Sequence, residues 1–126
     1  MGAVARPEHD LQRAVVKLLR SGILHPDVFW TAINPLPGRT PQAGAQAKQL
    51  GVRAGVPDLL FVHEGFSLWV ELKAAKRGRV TKEQRALHEK IEEAHDMTGL
   101  VKVVTSTAQL LEVLGDMLRV KRTMAA

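Results

Sequence analysis

Two apolar segments near the middle of the chain, separated by only four residues, constrain the fold most strongly. Residues 58–62 (DLLFV) and 67–73 (SLWVELK) have the length and the branched or aromatic content of β-strands. Residues 63–66 between them contain a glycine and have the length of a hairpin turn. The two strands are therefore predicted to pair antiparallel. Because the second is apolar on both faces, we expect it to lie in the centre of a sheet.

The flanking segments predict helices and two more strands. Pro7 with acidic residues behind it indicates a helix start, and capping boxes at residues 81–84 and 106–109 indicate two more. The other expected elements are a strand at 28–33, a loop at 34–44, one or two helical turns at 45–50 and a strand at 100–105. This order predicts one α/β domain with a small mixed sheet flanked by helices.

Length and composition limit what such a domain can be. A chain of 126 residues, 45% of them hydrophobic, can build one modest core. The absence of cysteine excludes a disulfide scaffold, a thiolate zinc site and a cysteine nucleophile. The excess of 18 basic over 13 acidic residues favours a polyanionic partner. No apolar run is long enough for a membrane span or a signal peptide, so we expect a small, soluble, intracellular domain without a membrane partner.

Charged residues at the ends of the paired strands indicate a reaction centre. Alternate residues of a strand point to the same side, so Glu71 and Lys73 should project together while Leu72 faces the opposite layer. Asp58 begins the neighbouring strand, where its carboxylate can lie beside Glu71. Two adjacent carboxylates form a hard oxygen site suited to Mg²⁺ or Mn²⁺. Lys73 is placed to orient a water molecule or to stabilise charge that develops on a phosphate.

Three motifs give the chain a resemblance to a known nuclease family. Residues 51–58 (GVRAGVPD), 71–74 (ELKA) and 78–84 (GRVTKEQ) resemble the VRR-NUC (virus-type replication-repair nuclease) domain of the PD-(D/E)XK superfamily. An early helix with a glutamate, here Glu8 followed by Gln12, extends the resemblance over nearly the whole chain. It implies one stand-alone nuclease domain of the restriction-endonuclease-like fold over residues 1–126, with a core at about 7–120 and short tails.

The resemblance implies roles for the matching acidic and basic residues. Asp58 and Glu71 correspond to the metal ligands, and the backbone carbonyl of Leu72 to a further ligand. Lys73 corresponds to the catalytic lysine. Glu8 resembles the acidic residue of the first helix, which acts through water or on a second metal ion.

The resemblance also implies a reaction and a partner. Gln84 resembles a glutamine that supports the lysine and the attacking water. The implied reaction is Mg²⁺- or Mn²⁺-dependent hydrolysis of phosphodiester bonds in DNA. Stand-alone members are similar in layout to Holliday-junction resolvases. This implies a homodimer acting on branched DNA in replication, repair or recombination, in the cytoplasm of a bacterial or phage-infected cell.

A dense group of basic residues independently favours DNA. Six lie within thirteen positions, opposed only by Glu83: Lys73, Lys76, Arg77, Arg79, Lys82 and Arg85. They adjoin the predicted metal site, where a phosphate backbone would have to lie. Arg53, in the glycine-rich segment, either contacts DNA or caps a turn. With two Trp, three Phe and no obvious groove-reading helix, structure-selective or non-specific recognition is favoured.

Ordinary structural explanations exist for several of these residues. Pro-Asp is a common turn dipeptide, and strand-end charges such as Glu71 can protect a sheet edge. Glu8 can act as a helix-dipole partner, Gln84 as part of a capping box, and the basic group as a solvated surface. The five histidines lack metal-site spacing and are expected on the surface.

Three other functions are compatible with these residues. The main alternative is a non-catalytic DNA-binding module that retains the nuclease fold. A restriction-type endonuclease would need a separate recognition segment, which a chain of this length does not offer. A pocket for a small phosphate ligand would not need so broad a basic surface.

Overall fold

The computed structural model describes residues 7–33, 40–74 and 79–119, which form four α-helices and four β-strands. In chain order these are α1 (Pro7–Leu19), β1 (Phe29–Ala32), α2 (Pro41–Gln49), β2 (Leu59–His63), β3 (Phe66–Leu72), α3 (Lys82–His95), β4 (Gly99–Val104) and α4 (Thr107–Leu114). A single 3₁₀ turn, Gly115–Met117, follows α4.

The strands form one mixed sheet in the order β1-β2-β3-β4. The predicted hairpin is confirmed, because β2 and β3 pair antiparallel from Leu59 opposite Val70 to His63 opposite Phe66. β1 is antiparallel to β2, whereas β4 runs parallel to β3, and α3 makes the crossover that a parallel pair requires. β3 is therefore a central strand, as its apolar character on both faces predicts.

Both faces of the sheet are covered near β3. Leu68, Val70 and Leu72 point into a core that also contains Val15 of α1 and Leu110 of α4. The alternate residues of β3 face α3 instead, where the indole nitrogen of Trp69 donates a hydrogen bond to Nε2 of His95 at 2.9 Å. The charged residues that end β3 consequently lie between the sheet and α3, on the side away from the main apolar core.

The two predicted capping boxes differ in completeness. At the start of α3, Thr81 Oγ1 accepts from the backbone N–H of Gln84 (3.1 Å), and Gln84 Oε1 accepts from that of Thr81 (3.0 Å). At the start of α4, Ser106 Oγ accepts from the N–H of Gln109 (3.1 Å). The amide oxygen of Gln109, however, accepts from the N–H of Thr105 (2.7 Å), so only half of the second box forms.

One predicted loop is partly wrong. Residues 41–44, expected to be loop, belong to α2, while residues 34–39 lie outside the described part of the chain. Thr40 caps the helix by accepting a hydrogen bond from the N–H of Ala43 at 3.1 Å, and Pro41 occupies its first turn. Proline is well suited to that position because its nitrogen needs no hydrogen-bond partner there. The same residue type that suggests a loop therefore starts a helix here.

Gly99 begins β4 where a side chain does not fit. A Cβ at this position would lie 2.5 Å from Cγ of His95, the ring that accepts the hydrogen bond from Trp69. We expect Gly99→Ala to lower the free energy of unfolding by about 1–3 kcal/mol, measured by chemical denaturation. Gly44→Ala is the control, because its Cβ meets open space in α2, and it should be neutral or stabilise by up to about 1 kcal/mol. Equal losses in both variants would contradict this explanation.

Candidate active site

The end of β3 places a carboxylate and an ammonium group together in the interior. Glu71 and Lys73 are only 3% and 7% exposed. Lys73 Nζ lies 4.0 Å from Glu71 Oε2, whereas the side chain of Leu72 packs into the apolar core. This alternation is what a β-strand imposes, so the two charged side chains share one face. Charges this deeply buried need partners, and the rest of the site supplies some of them.

Asp58 lies beside the end of β3, although it precedes β2 rather than forming its first residue. Its Oδ2 accepts a hydrogen bond from the backbone N–H of Leu72 at 2.7 Å. Its own backbone carbonyl accepts from the N–H of Ile33 at 2.9 Å. These contacts hold the Asp58 carboxylate against the β3 residue that follows Glu71. The structure thus brings together the aspartate, glutamate and lysine that the sequence singles out.

The Glu71 carboxylate has an unusual electrostatic environment. Burial and, second, the neighbouring Asp58 carboxylate raise the pKa of Glu71 from 4.5 to about 8, with Lys73 opposing them. Its Oε1 atom has no hydrogen-bond partner among the described residues. A buried carboxylate that repels its neighbour and has an unpaired oxygen is destabilising in the absence of a cation. The position therefore favours binding of a positively charged group.

The glycine-rich segment before Asp58 forms a wall close to the start of α3. Gly55 has φ +88°, and a Cβ at this position would lie 3.3 Å from Cα of Gln84. A larger residue would therefore meet both backbone strain and the first turn of α3. This close approach explains by packing why Gly55 of the 51–58 motif is a glycine. It also places Gln84 opposite the segment that leads to Asp58.

A cavity of about 1110 Å³ brings the predicted catalytic residues together. All five line it: Glu8, Asp58, Glu71, Lys73 and Gln84. The capping box engages the amide oxygen of Gln84, which leaves its amide nitrogen as the group able to donate into the cavity. The structural and functional explanations of Gln84 are therefore compatible.

Most of the basic residues that the structure describes at positions 73–85 do not line this cavity. Arg53 lines the cavity together with Lys48 of α2, a residue that the sequence did not single out. Arg79, Lys82 and Arg85 are exposed but are not among its lining residues. Lys76 and Arg77 lie outside the described part of the chain. Apart from Lys73, the basic residues that line this cavity therefore come from α2 and the glycine-rich segment.

His88 of α3 is a site residue that sequence reasoning missed. It was expected on the surface, yet it is only 8% exposed, and its Nε2 lies 3.6 Å from Glu71 Oε1. Burial is the main cause that lowers the pKa of His88, so the imidazole is neutral at pH 7. Since His88 follows Gln84 by four residues, the helical period places both on one face. That spacing was the available signal.

Two other histidines also differ from the expectation that all five lie on the surface. The ring of His95 accepts the hydrogen bond from Trp69, and His63 has a buried Nδ1 without a partner among the described residues. Imidazole rings pack against apolar surface while one nitrogen remains available for a hydrogen bond, which motif spacing alone does not reveal.

The donor set fits a hard divalent cation. Asp58 and Glu71 contribute only oxygen atoms, and Mg²⁺ is commonly held by one or two carboxylates while it retains several waters. Within residues 7–33, 40–74 and 79–119, no group of three or more His, Cys, Asp or Glu residues has metal-binding geometry. A two-carboxylate site does not need such a group.

A comparison with solved structures found a protein described as a VRR_NUC domain protein. The TM-score is 0.65 at 18% sequence identity, and the match covers 91% of this chain and 90% of that chain. No family model and no curated protein matches the sequence. At this identity the likeness establishes the fold, which confirms the predicted α/β domain with a small mixed sheet flanked by helices. No helix in the described ranges is long and apolar enough to span a membrane.

The raised pKa of Glu71 predicts a pH-dependent stability of the metal-free protein. Between pH 4.5 and about 8 the folded state holds a proton that the unfolded state has released, so stability should fall as pH rises. We expect Glu71→Gln, which is neutral at every pH, to reduce this fall by at least about 1 kcal/mol between pH 5.5 and 8.5. Denaturant titrations in EDTA measure the effect.

The control is Glu83→Gln, because Glu83 is exposed in the first turn of α3. It should leave the pH profile of the wild type unchanged. The same pH dependence in Glu71→Gln and the wild type would contradict the assignment of a buried, proton-binding Glu71.

Proposed function

We propose that this chain is a Mg²⁺- or Mn²⁺-dependent deoxyribonuclease of the VRR-NUC type that hydrolyses phosphodiester bonds. The observation that carries the proposal is the half-buried Asp58 beside the buried Glu71 and Lys73 in one cavity. The fold supports it, because it is shared with a VRR_NUC domain protein. Fold alone does not determine activity, so the argument rests on the chemistry of the site.

The acidic pair would hold the cation. Asp58 and Glu71 are the proposed ligands, with the backbone carbonyl of Leu72 and the Glu8 carboxylate as additional candidates. When bound, a divalent cation supplies Lewis-acid polarisation of a phosphoryl oxygen and lowers the pKa of a bound water. Asp58 accepts a hydrogen bond from the N–H of Leu72, which fixes the direction of one of its oxygens.

Lys73 and Gln84 would act on the attacking water and on the phosphate. The Lys73 ammonium is almost fully buried next to Glu71, so its charge is poorly screened by solvent. In this position it can orient a water by a hydrogen bond and stabilise negative charge on the phosphate that is attacked. Gln84 lines the same cavity, and its amide nitrogen, which the capping box does not use, would be a second donor.

The arrangement of the openings favours an endonuclease. The cavity on the α2 side and a second groove along α1 share Glu8 and Asp58. A strand can therefore continue on both sides of the acidic pair. We further propose branched or four-way junction DNA as substrate and a homodimer as the active form, for which the family resemblance is the support.

The test is cleavage of labelled four-way junction, flap, splayed-arm and duplex DNA with Mg²⁺ or Mn²⁺. We expect wild-type cutting that EDTA abolishes, and losses of about 10²–10³-fold or more in Asp58→Asn and Lys73→Met. Asparagine can still accept the hydrogen bond from Leu72, so folding is expected to persist. Lys90→Met, at an exposed position of α3, is the matched control and should cut like the wild type.

Two outcomes would contradict the proposal. If folded wild type binds DNA but cuts no substrate with either cation, the non-catalytic DNA-binding module is the better account. If Asp58→Asn and Lys73→Met cut as fast as the wild type, the activity arises at another site. The ranking of the four substrates separates a junction-selective enzyme from a general endonuclease.

A further inference from the structure

Helix α1 carries a row of basic residues that neither the motifs nor the proposed catalytic centre uses. Three of its basic residues are exposed: Arg13 and Lys17 within α1, and Arg20 directly after it. Their spacings of four and three residues place them along one face. None of them forms an ion pair within residues 7–33, 40–74 and 79–119. Their charges are therefore available to a partner.

These residues line a groove that leads to the acidic pair. Its volume is about 710 Å³, and the rest of its lining combines Val16 and polar residues of α1 with Asp58 and Leu72. Of the acidic residues in the described chain, only Glu8 and Asp58 line it, and both also line the α2-side cavity. Along α1, the Glu8 carboxylate thus lies in the first turn and the basic residues follow toward the C-terminal end.

The helix dipole explains only part of this row. Basic residues near a helix C-terminus are favoured by the dipole, which accounts for Lys17 in the last turn. Arg13 lies in the middle of α1, where the effect of the dipole is small. A solvated helix face would not need a groove beside it. A bound polyanion, in contrast, would contact the basic residues and occupy the groove.

We propose that the α1 groove binds the phosphate backbone of the nucleic acid on the side of the cleaved bond opposite the α2 cavity. This inference rests on the proposed function, because the acidic pair defines where cleavage would occur. From Arg13 to Arg20 the helix rises about 10 Å, which is long enough for the row to contact more than one successive phosphate of a strand. The row therefore has both the charge and the length to follow a strand as it leaves the site.

The proposal differs from what the sequence indicated. The basic group that follows β3 pointed to DNA contacts around α3, but Arg79, Lys82 and Arg85 do not line the α1 groove. With Arg53 and Lys48 on the other side, the acidic pair has cations on two sides. Contacts on both sides of the cleaved bond would bind an internal segment of a strand and not only its end.

The test is DNA binding by fluorescence anisotropy in EDTA, where a metal-dependent nuclease does not cut. The variant is Arg13→Gln/Lys17→Gln, and the charge-matched control is Lys90→Gln/Lys102→Gln, whose residues are exposed and line neither opening. We expect the α1 variant to bind labelled DNA about tenfold more weakly than the wild type. Its log–log salt slope should be shallower by about 1.4–1.8, the value for two lost phosphate contacts.

The control separates a defined contact from a general effect of net charge. Lys90→Gln/Lys102→Gln should keep the wild-type salt slope and bind within about twofold of wild type. Circular dichroism and thermal melting establish that both double variants are folded. Equal weakening of both would overturn the groove assignment, because it would show an effect of net charge alone.

Comparison with cleavage distinguishes the two proposals. If the wild type cuts DNA and the α1 variant binds and cuts with wild-type values, the groove assignment fails and the proposed nuclease stands. If the wild type neither binds nor cuts DNA, the proposed function fails and the groove assignment fails with it. Weaker binding and a shallower salt slope confined to the α1 variant would support the groove assignment.

Discussion

The organisation of the site depends on the burial of Glu71 beside Asp58 at the end of the central strand β3. The Glu71 side chain is 3% exposed, its Oε1 lacks a hydrogen bond among the described residues, and its pKa is raised to about 8. A fold selected only for stability would favour an apolar residue at this position. The unfavourable energy of the carboxyl pair is understandable if the pair serves to attract a cation, which is the basis of the proposed function.

The surrounding structure keeps this pair in place. The 2.7 Å hydrogen bond from the N–H of Leu72 to Asp58 connects the residue before β2 to the end of β3. Gly55 lets the preceding segment approach the first turn of α3, the helix that also brings His88 to within 3.6 Å of Glu71. Two strands and one helix thus meet at the acidic pair. Displacement of any one of them would move a side chain of the site.

The sequence predicted the elements whose signals are local. The hairpin, the central position of β3 and the Thr81 capping box follow from period, turn length and cap chemistry within a few residues. Prediction from the sequence was wrong where packing between distant segments determines the structure. Pro41 starts a helix instead of a loop, and His88 is buried because β3 and α3 pack together there. The α1 groove was equally inaccessible, since it forms only where helix and sheet meet.

Binding of Mn²⁺ to the protein tests the account most directly. Paramagnetic resonance of free Mn²⁺ should reveal saturable binding by the wild type and at least about tenfold weaker binding by Asp58→Asn and by Glu71→Gln, since each replaces one carboxylate ligand. Glu83→Gln should bind like the wild type. Equal Mn²⁺ affinity in all four proteins, or DNA cleavage by a wild type that binds no divalent cation, would contradict the central claim.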